Sequence, residues 1–160
     1  MSAFAIRPAR AGDEETIRAL LYELAEYEKL TDKFTITNEI VTRDYLNARP
    51  LIQCELALEG EAPIGIATWY FTYSSFAAKR GIYLEDLFVR PQFRGRGYGK
   101  ALLAHVAARA CEHGTDRVDW AVLTWNAPAI AFYESLGARA VSDWHIYRLT
   151  GDALAKMCKP

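Results

Sequence analysis

A mixed α/β (α+β) domain, with a mostly antiparallel central sheet flanked by helices and a phosphate-binding strand-loop-helix in its middle, is the fold that this sequence predicts. Three observations predict it. An apolar, strand-like run from Ile82 to Val89 leads through a glycine- and arginine-rich turn straight into a helical pattern. Strand patterns joined by short turns precede that run, as in an antiparallel meander. A further β-rich run follows the helix, and the order strand, turn, helix, strand demands a right-handed crossover and a parallel strand beside the turn.

Taken in order, Phe4 to Ala9 reads as a short first strand stopped by Pro8, whose missing N–H suits a strand end. Asp13 offers an N-cap, and Ile17, Leu20, Leu21, Leu24 and Tyr27 recur at helical spacing, so Glu14 to Lys29 is predicted as an amphipathic helix. Thr37 or Asn38 opens a second helix through about Leu46, ended by Arg49-Pro50. Gln53 to Leu58 and Ala62 to Thr72 form strands across the EGEAP turn, and Ile82 to Val89 another after the SSFAAKRG loop. The helix Gly97 to His113 stops at Gly114, and Arg117 to Leu123 is the following β-rich run. Ala127 to Leu136 reads as a short helix with Pro128 in its first turn, Trp144 to Leu149 as a last strand, and DALAKM as a closing helical turn. With no repeat or linker, residues 1 to 160 are expected to form a single domain.

Composition narrows the function classes. A net charge of −1 with scattered Lys and Arg implies no nucleic-acid partner. No apolar run approaches the roughly 20 residues of a membrane helix, and the N-terminus has no signal-peptide core, so the expected compartment is the cytoplasm, with no membrane partner. Cys54, Cys111 and Cys158 lack metal-site spacing and read as reduced, packed thiols. His105, His113 and His145 read as surface or cap residues; no metal is expected.

The chemistry concentrates in the turn. From Gly95 to Gly99 every second residue is glycine, which permits positive φ and turns several N–H groups toward one point. The following helix adds its unpaired N–H groups and the positive end of its dipole, with Arg94 and Arg96 as charged neighbours. A Walker loop would need glycine where Arg94 stands and Ser or Thr at Ala101, and a dinucleotide fingerprint laid from Gly95 would need glycine at Lys100. What remains is R-x-x-G-x-G, formed by Arg94, Gly97 and Gly99.

This stretch resembles the acetyl-coenzyme A pyrophosphate loop of the GNAT superfamily of N-acetyltransferases. A second segment, NAPAIAFYESLGA from Asn126, resembles the one in which that superfamily places an Asn facing the cofactor and a Tyr near the leaving sulfur. IRPA at Ile6, ELAEYE at Glu23, WYFTY at Trp69, YLEDLFV at Tyr83 and WNAPAIAFY at Trp125 are most similar to segments of the diamine (spermidine/spermine) acetyltransferase branch, in the same order.

The resemblance implies the superfamily's fold, acetyl-coenzyme A as cofactor, and transfer of its acetyl group to a primary amine by direct attack. It implies cofactor contacts from Leu87, Phe88 and Val89, from Arg94, Gly95, Arg96, Gly97, Tyr98, Gly99 and Lys100, and from Asn126, Ala129 and Tyr133. Tyr133 would protonate the departing thiolate. An alkyl ammonium with a pKa near 10.4 must lose a proton before attack, and Glu85 is the candidate base, directly or through water. Tyr27 and Glu28 match the branch's amine-contacting pair, and with Glu85 and Asp86 they would give a site for a small cationic amine.

Glu85 and Asp86 are adjacent and would point to opposite faces of a regular strand, so an irregularity is predicted between Glu85 and Phe88. Phe76 stands where the branch usually has a larger aromatic, and Arg80 adds positive charge near the expected entrance. This disfavours long polycations and opens the alternative of an amino acid such as lysine or thialysine, whose carboxylate could meet Arg80. Other readings are a non-catalytic acyl-coenzyme A sensor and a peptide or protein N-acetyltransferase. A homodimer is expected from the resemblance.

Overall fold

The structure, a computed structural model, describes residues 3 to 158. Its elements run β1 (Phe4–Pro8), α1 (Glu14–Glu28), α2 (Asn38–Asp44), β2 (Gln53–Glu59), β3 (Ala62–Ser74), β4 (Lys79–Val89), α3 (Tyr98–Glu112), β5 (Val118–Asp119), α4 (Ala127–Ser135) and α5 (Gly151–Met157). The chain divides between Ala121 and Val122 into two compact units. The first holds the sheet with α1, α2 and α3; the second holds α4 and α5.

The five strands lie in sequence order, antiparallel from β1 to β4 and parallel between β4 and β5. Alternation of side chains divides the core in two. Ile17, Leu20, Leu21 and Leu24 of α1 and Val41 of α2 pack on Cys54, Leu56, Ile66 and Phe88. On the opposite face Leu102, Val106 and Ala110 of α3 pack on Ala57, Ala67, Trp69, Ile82, Leu84 and Val89. Leu20, Leu56, Ile82 and Leu102 are wholly buried, and each such side chain contributes about 1.5–3 kcal/mol relative to leaving it exposed.

Local chemistry sets the ends of the elements. Asp13 precedes α1 but does not cap it with its side chain. Its carboxylate instead accepts two bonds from Arg7, at 2.6 and 2.9 Å, and one from the Arg10 N–H, at 2.8 Å, tying the end of β1 to the start of α1. Thr37 does cap α2, accepting from the Ile40 N–H. α1 ends where Lys29 takes a left-handed conformation, φ 60°.

Two expectations about strands fail. Of the β-rich run Arg117 to Leu123 only Val118 and Asp119 pair, with Ile82 and Tyr83. Trp144 to Leu149 forms no strand: alternation makes a strand only where an edge offers hydrogen-bond partners, and among the described residues no strand pairs with this segment. Trp144, Ile146 and Tyr147 are exposed. The closing helical turn does form, as α5.

The cysteines are free, as expected. Cys54 is packed in the core, where burial pushes its thiol pKa well up, but Cys111 and Cys158 are exposed, so packing is not their role.

Candidate active site

The cradle lies where β4 gives way to α3. A 3₁₀ turn, Pro91–Phe93, reverses the chain, and Gly95 and Gly97 then take φ of 76° and 83°, conformations that L side chains rarely adopt. A Cβ at either glycine would meet nothing within 4 Å, so it is the positive φ and not a lack of room that calls for glycine at these two positions. Among the described residues no hydrogen bond uses the N–H of Gly95, Arg96 or Gly97, and the first intrahelical bond of α3 runs from the Ala101 N–H to the Gly97 carbonyl at 3.0 Å. Six successive N–H groups, from Gly95 to Lys100, thus precede or open the helix without an internal acceptor. That donor set fits a diphosphate.

The three arginines around the loop have separate tasks. Arg90 grips Glu23 of α1 through Nε and Nη2, with bonds of 2.6–3.1 Å, and donates to the Pro63 carbonyl at 2.7 Å. Arg96 lies 3.4 Å from Glu59, which also accepts from the Tyr98 hydroxyl at 3.2 Å. Arg94 turns back on the strand: its Nε donates to the Val89 carbonyl at 2.8 Å, and its guanidinium lies over the Tyr27 ring at 4.7 Å and the Phe88 ring at 5.6 Å.

The carboxylates are brought together by a bulge in β4. Asp86 pairs with Thr68 and Leu84 with Trp69, so Glu85 is an extra residue with no partner of its own on β3. Before it Ile82 and Leu84 face α3; after it Leu87 and Val89 do, while Phe88 faces α1. The irregularity therefore falls at Glu85 itself, at the near end of the predicted span, and it lets Glu85 and Asp86 share the α1 face.

Electrostatics register this crowding. Burial is the main cause that pushes the Asp86 carboxyl up to about 6, with Glu85 and Glu28 adding to the shift and a hydrogen bond from the Thr68 hydroxyl opposing it. Burial also raises the Glu28 carboxyl. Burial, then Asp86 and Glu85 among its neighbours, drives the Tyr45 hydroxyl pKa upward, and Tyr70 is raised by burial and by Glu85. Tyr70 and Tyr83 stand ring against ring, with centroids 5.4 Å apart. The result is a carboxylate cluster walled by phenol rings, an environment that favours a cation.

The strand edge beside this cluster is open. The β4–β5 ladder ends at Tyr83 and Asp119, so along Leu84 to Val89 the β4 edge that faces away from β3 has no strand partner among the described residues.

In the second unit Asn126 is buried and caps α4, its side-chain oxygen accepting from the Ala129 N–H at 3.4 Å, and one turn on the Phe132 and Tyr133 rings lie 5.2 Å apart. The first unit thus gathers the cradle, Leu87 to Val89, Tyr27, Glu28, Glu85 and Asp86, and the second gathers Asn126, Ala129 and Tyr133.

Arg80 does not line this site. Strand alternation puts it with Ile82 on the α3 face, where its guanidinium lies 5.0 Å from the Phe71 ring centroid, so it cannot be the partner expected for an amino-acid carboxylate. Phe76 is fully exposed.

Sequence reasoning also missed Glu55. This carboxylate sits on the α3 face of β2, only 4% exposed, with His105 Nε2 at 3.4 Å and Arg109 Nε at 3.8 Å. Burial raises its pKa, and the two partners hold the shift back. The cue was a glutamate inside the apolar run QCELALE together with His105 and Arg109 four residues apart on one helix. His105 is therefore a partly buried partner rather than a surface residue, while His113 caps the end of α3 as expected.

The fold recurs in a solved structure, an integron cassette protein from the mobile metagenome of V. cholerae, which matches with a TM-score of 0.83 at 26% identity, covering 100% of this chain and 99% of that one. A ribosomal-protein-alanine N-acetyltransferase from Brucella melitensis shares the fold with a TM-score of 0.73 at 19% identity, over 93% of this chain and 100% of that one. Both likenesses are of fold. The family model "Acetyltransferase (GNAT) family" matches residues 16–138, and the chain belongs to that family.

Among its relatives, the thialysine N-epsilon-acetyltransferase of Sus scrofa is 36% identical over 98% of both chains. The L-ornithine N5-acetyltransferase of Arabidopsis thaliana is 31% identical over 96% of this chain and 87% of that one. The spermidine/spermine N(1)-acetyltransferase-like protein 1 of Homo sapiens is 33% identical over 98% of this chain and 24% of its own length. The protein is an acetyltransferase, and acetyl-coenzyme A is the donor general to the family.

Proposed function

We propose that the protein transfers the acetyl group of acetyl-coenzyme A to a primary amine of a small cationic substrate, either a diamine or a basic amino acid of the thialysine and ornithine type. One observation carries this reading: the bulge sets Glu85 and Asp86 on one face beside Glu28, along the stretch of β4 whose other edge is open and leads to the N–H cradle. A thioester donor supplies the activated acyl group when bound.

The chain's own residues do the rest. The N–H groups from Gly95 to Lys100 would hold the diphosphate, with Arg96 and Lys100 as the nearby charges. The open edge from Leu87 to Val89 offers backbone groups to the amide-bearing arm of the cofactor, which would lie there as an extra strand.

Asp86 and Glu28 would hold the substrate as an ammonium between the rings of Tyr27, Tyr70 and Tyr83. Glu85 would take the proton that the amine sheds, directly or through water, which is worth about a hundredfold or more in rate. Tyr133 would donate to the departing sulfur, with Asn126 and Ala129 facing the cofactor. With Arg80 on the other face, nothing placed by these residues penalises a longer cation.

The relatives named for small amines and amino acids support the substrate class; the homodimer is a proposal that rests on the family resemblance of the sequence alone. Among the described residues no helix is long and apolar enough to cross a membrane, and no group of three or more His, Cys, Asp or Glu could hold a metal ion.

Thiol release from acetyl-coenzyme A, measured with diaminobutane, spermidine, spermine, ornithine, lysine, thialysine and a lysine-bearing peptide, tests the reading. Turnover with one of the free amines or amino acids is expected. Binding of the cofactor without turnover on any amine would make the protein a sensor, and preference for the peptide would make it a protein acetyltransferase.

A further inference from the structure

A polar row crosses the α1 face of the sheet. Cys54 of β2 lies opposite Thr68 of β3, and Thr68 opposite Asp86 of β4, so a thiol, a hydroxyl and a carboxyl stand side by side on three neighbouring strands. Thr68 is wholly buried, and its hydroxyl donates to Oδ2 of Asp86. Among the described residues this is the one bond to the Asp86 carboxylate, so Oδ1 has no partner, and no Lys, Arg or His forms an ion pair with it. Asp86 itself is half-buried.

A Val of the same shape would fill the place of Thr68 in this layer with no O–H to desolvate. The branch at Cβ restricts the Thr68 side chain, and at zero exposure its hydroxyl has the carboxylate as its partner in place of water. We infer that Thr68 is a positioning residue for amine recognition: fixed in the interior of the sheet, it ties down Oδ2 of Asp86 and leaves Oδ1 to meet the ammonium of the substrate. The same bond works against burial, which favours the protonated carboxyl, and so helps to keep Asp86 an anion where the substrate is a cation. The other groups that face Asp86 are Glu85 on β4, Glu28 on α1, Tyr45 on α2 and Cys54 on β2, all acids that offer it no positive charge. This inference rests on Asp86 being part of the amine site.

Protein carrying aspartate isotope-labelled at the side-chain carboxyl carbon reports the titration of Asp86 by nuclear magnetic resonance, its signal identified by its loss in Asp86→Asn. In Thr68→Val the midpoint should rise by about one pH unit or more, and in Thr68→Ser, which keeps the O–H, it should stay close to the wild-type value. Steady-state thiol release at saturating acetyl-coenzyme A, with whichever free amine the wild-type protein turns over fastest, reads the consequence. KM for the amine in Thr68→Val should exceed the wild-type value by about fivefold at pH 6 and by less than about twofold at pH 8.5, where both proteins hold an ionised Asp86, with kcat changed by less than about twofold. Thr68→Ser should again follow the wild type, and Thr68→Ala makes the same comparison if Thr68→Val disturbs the layer.

A midpoint unmoved in Thr68→Val overturns the inference, because the bond then does not act on the charge of Asp86. A KM ratio that is the same at pH 6 and pH 8.5 also overturns it and makes Thr68 a packing residue. Absence of turnover on every amine in the wild-type protein would remove the proposed function together with this inference. Wild-type turnover with neither signature in Thr68→Val would remove only the inference.

Discussion

Replacing Asp86 by Asn should stabilise the folded protein above pH 6 while disabling it. In the unfolded chain this carboxyl ionises near its ordinary value of 3.8; in the folded protein it holds its proton to about 6. Its ionisation therefore opposes folding: the penalty is absent below pH 3.8, grows as the pH rises through the interval, and is complete above about 6. At about 1.4 kcal/mol per pH unit, a displacement of about two units corresponds to at most about 3 kcal/mol. Asn is of equal size, never ionises, and keeps an oxygen to accept from the Thr68 hydroxyl. The variant should gain about 1–3 kcal/mol at pH 8, which for a chain of this length is a rise in Tm of roughly 3–9 °C.

Thermal unfolding followed by circular dichroism at pH 4, 6 and 8 measures it. The gain should nearly vanish at pH 4, and turnover with the best amine should fall by about a hundredfold or more at pH 8, where the wild-type carboxyl is ionised, with a smaller difference below pH 6. A gain of equal size at pH 4 and pH 8 would show that carboxylate desolvation is not its source. A loss of stability at pH 8 would show that ionised Asp86 is compensated in the folded state.

The remaining predictions use the same reasoning. Tyr133→Phe should lower kcat by about tenfold or more with coenzyme A affinity changed by less than about twofold, measured by thiol release and calorimetry; equal losses in both would make Tyr133 a packing residue. Gly97→Val forces a β-branched residue into φ 83° and fills the open side of the loop, so coenzyme A binding should be lost while the fold survives with a loss of about 1–2 kcal/mol; unchanged affinity would take the loop out of the site. Asp13→Ala leaves Arg7 unpaired and should cost about 2–3 kcal/mol in urea unfolding at pH 7. Arg7 holds the Asp13 carboxyl below its ordinary range, so this contribution is present above about pH 4 and disappears as the pH falls through the lowered folded-state value; a cost that persisted at pH 2 would point to packing instead.

The meander was legible because its strands alternate cleanly and its turns carry glycine and proline, and α1 because its apolar stripe recurs through Leu24 and Tyr27. The cradle was legible for a different reason: only glycine takes φ near 80° without strain, so the conformation is written in the residue type. What escaped was set by partners rather than by local pattern. Trp144 to Leu149 alternates like a strand and finds no edge, and Arg117 to Leu123 pairs over two residues only. The bulge was foreseen from a conflict, two adjacent carboxylates wanted on one side, but its place at Glu85 depended on the register with Thr68 and Trp69. Glu55 was overlooked because a buried carboxylate is intelligible only with His105 and Arg109, about a third of the chain away. Arg94 was expected among the phosphate contacts, and no pattern in the sequence pointed its guanidinium at Tyr27.

The extra residue at Glu85 makes β4 two short ribbons spliced out of phase. Redesign of Ile82 or Leu84 alters the layer under α3, whereas Phe88, also even-numbered, alters the layer under α1. Deleting Glu85 would join the two ribbons into one regular strand, because Asp86 would then follow Leu84 on the alternate face and every residue down to Val89 would keep the layer it has now; the added residue is therefore dispensable for the two layers and serves only to put a second carboxylate next to the first.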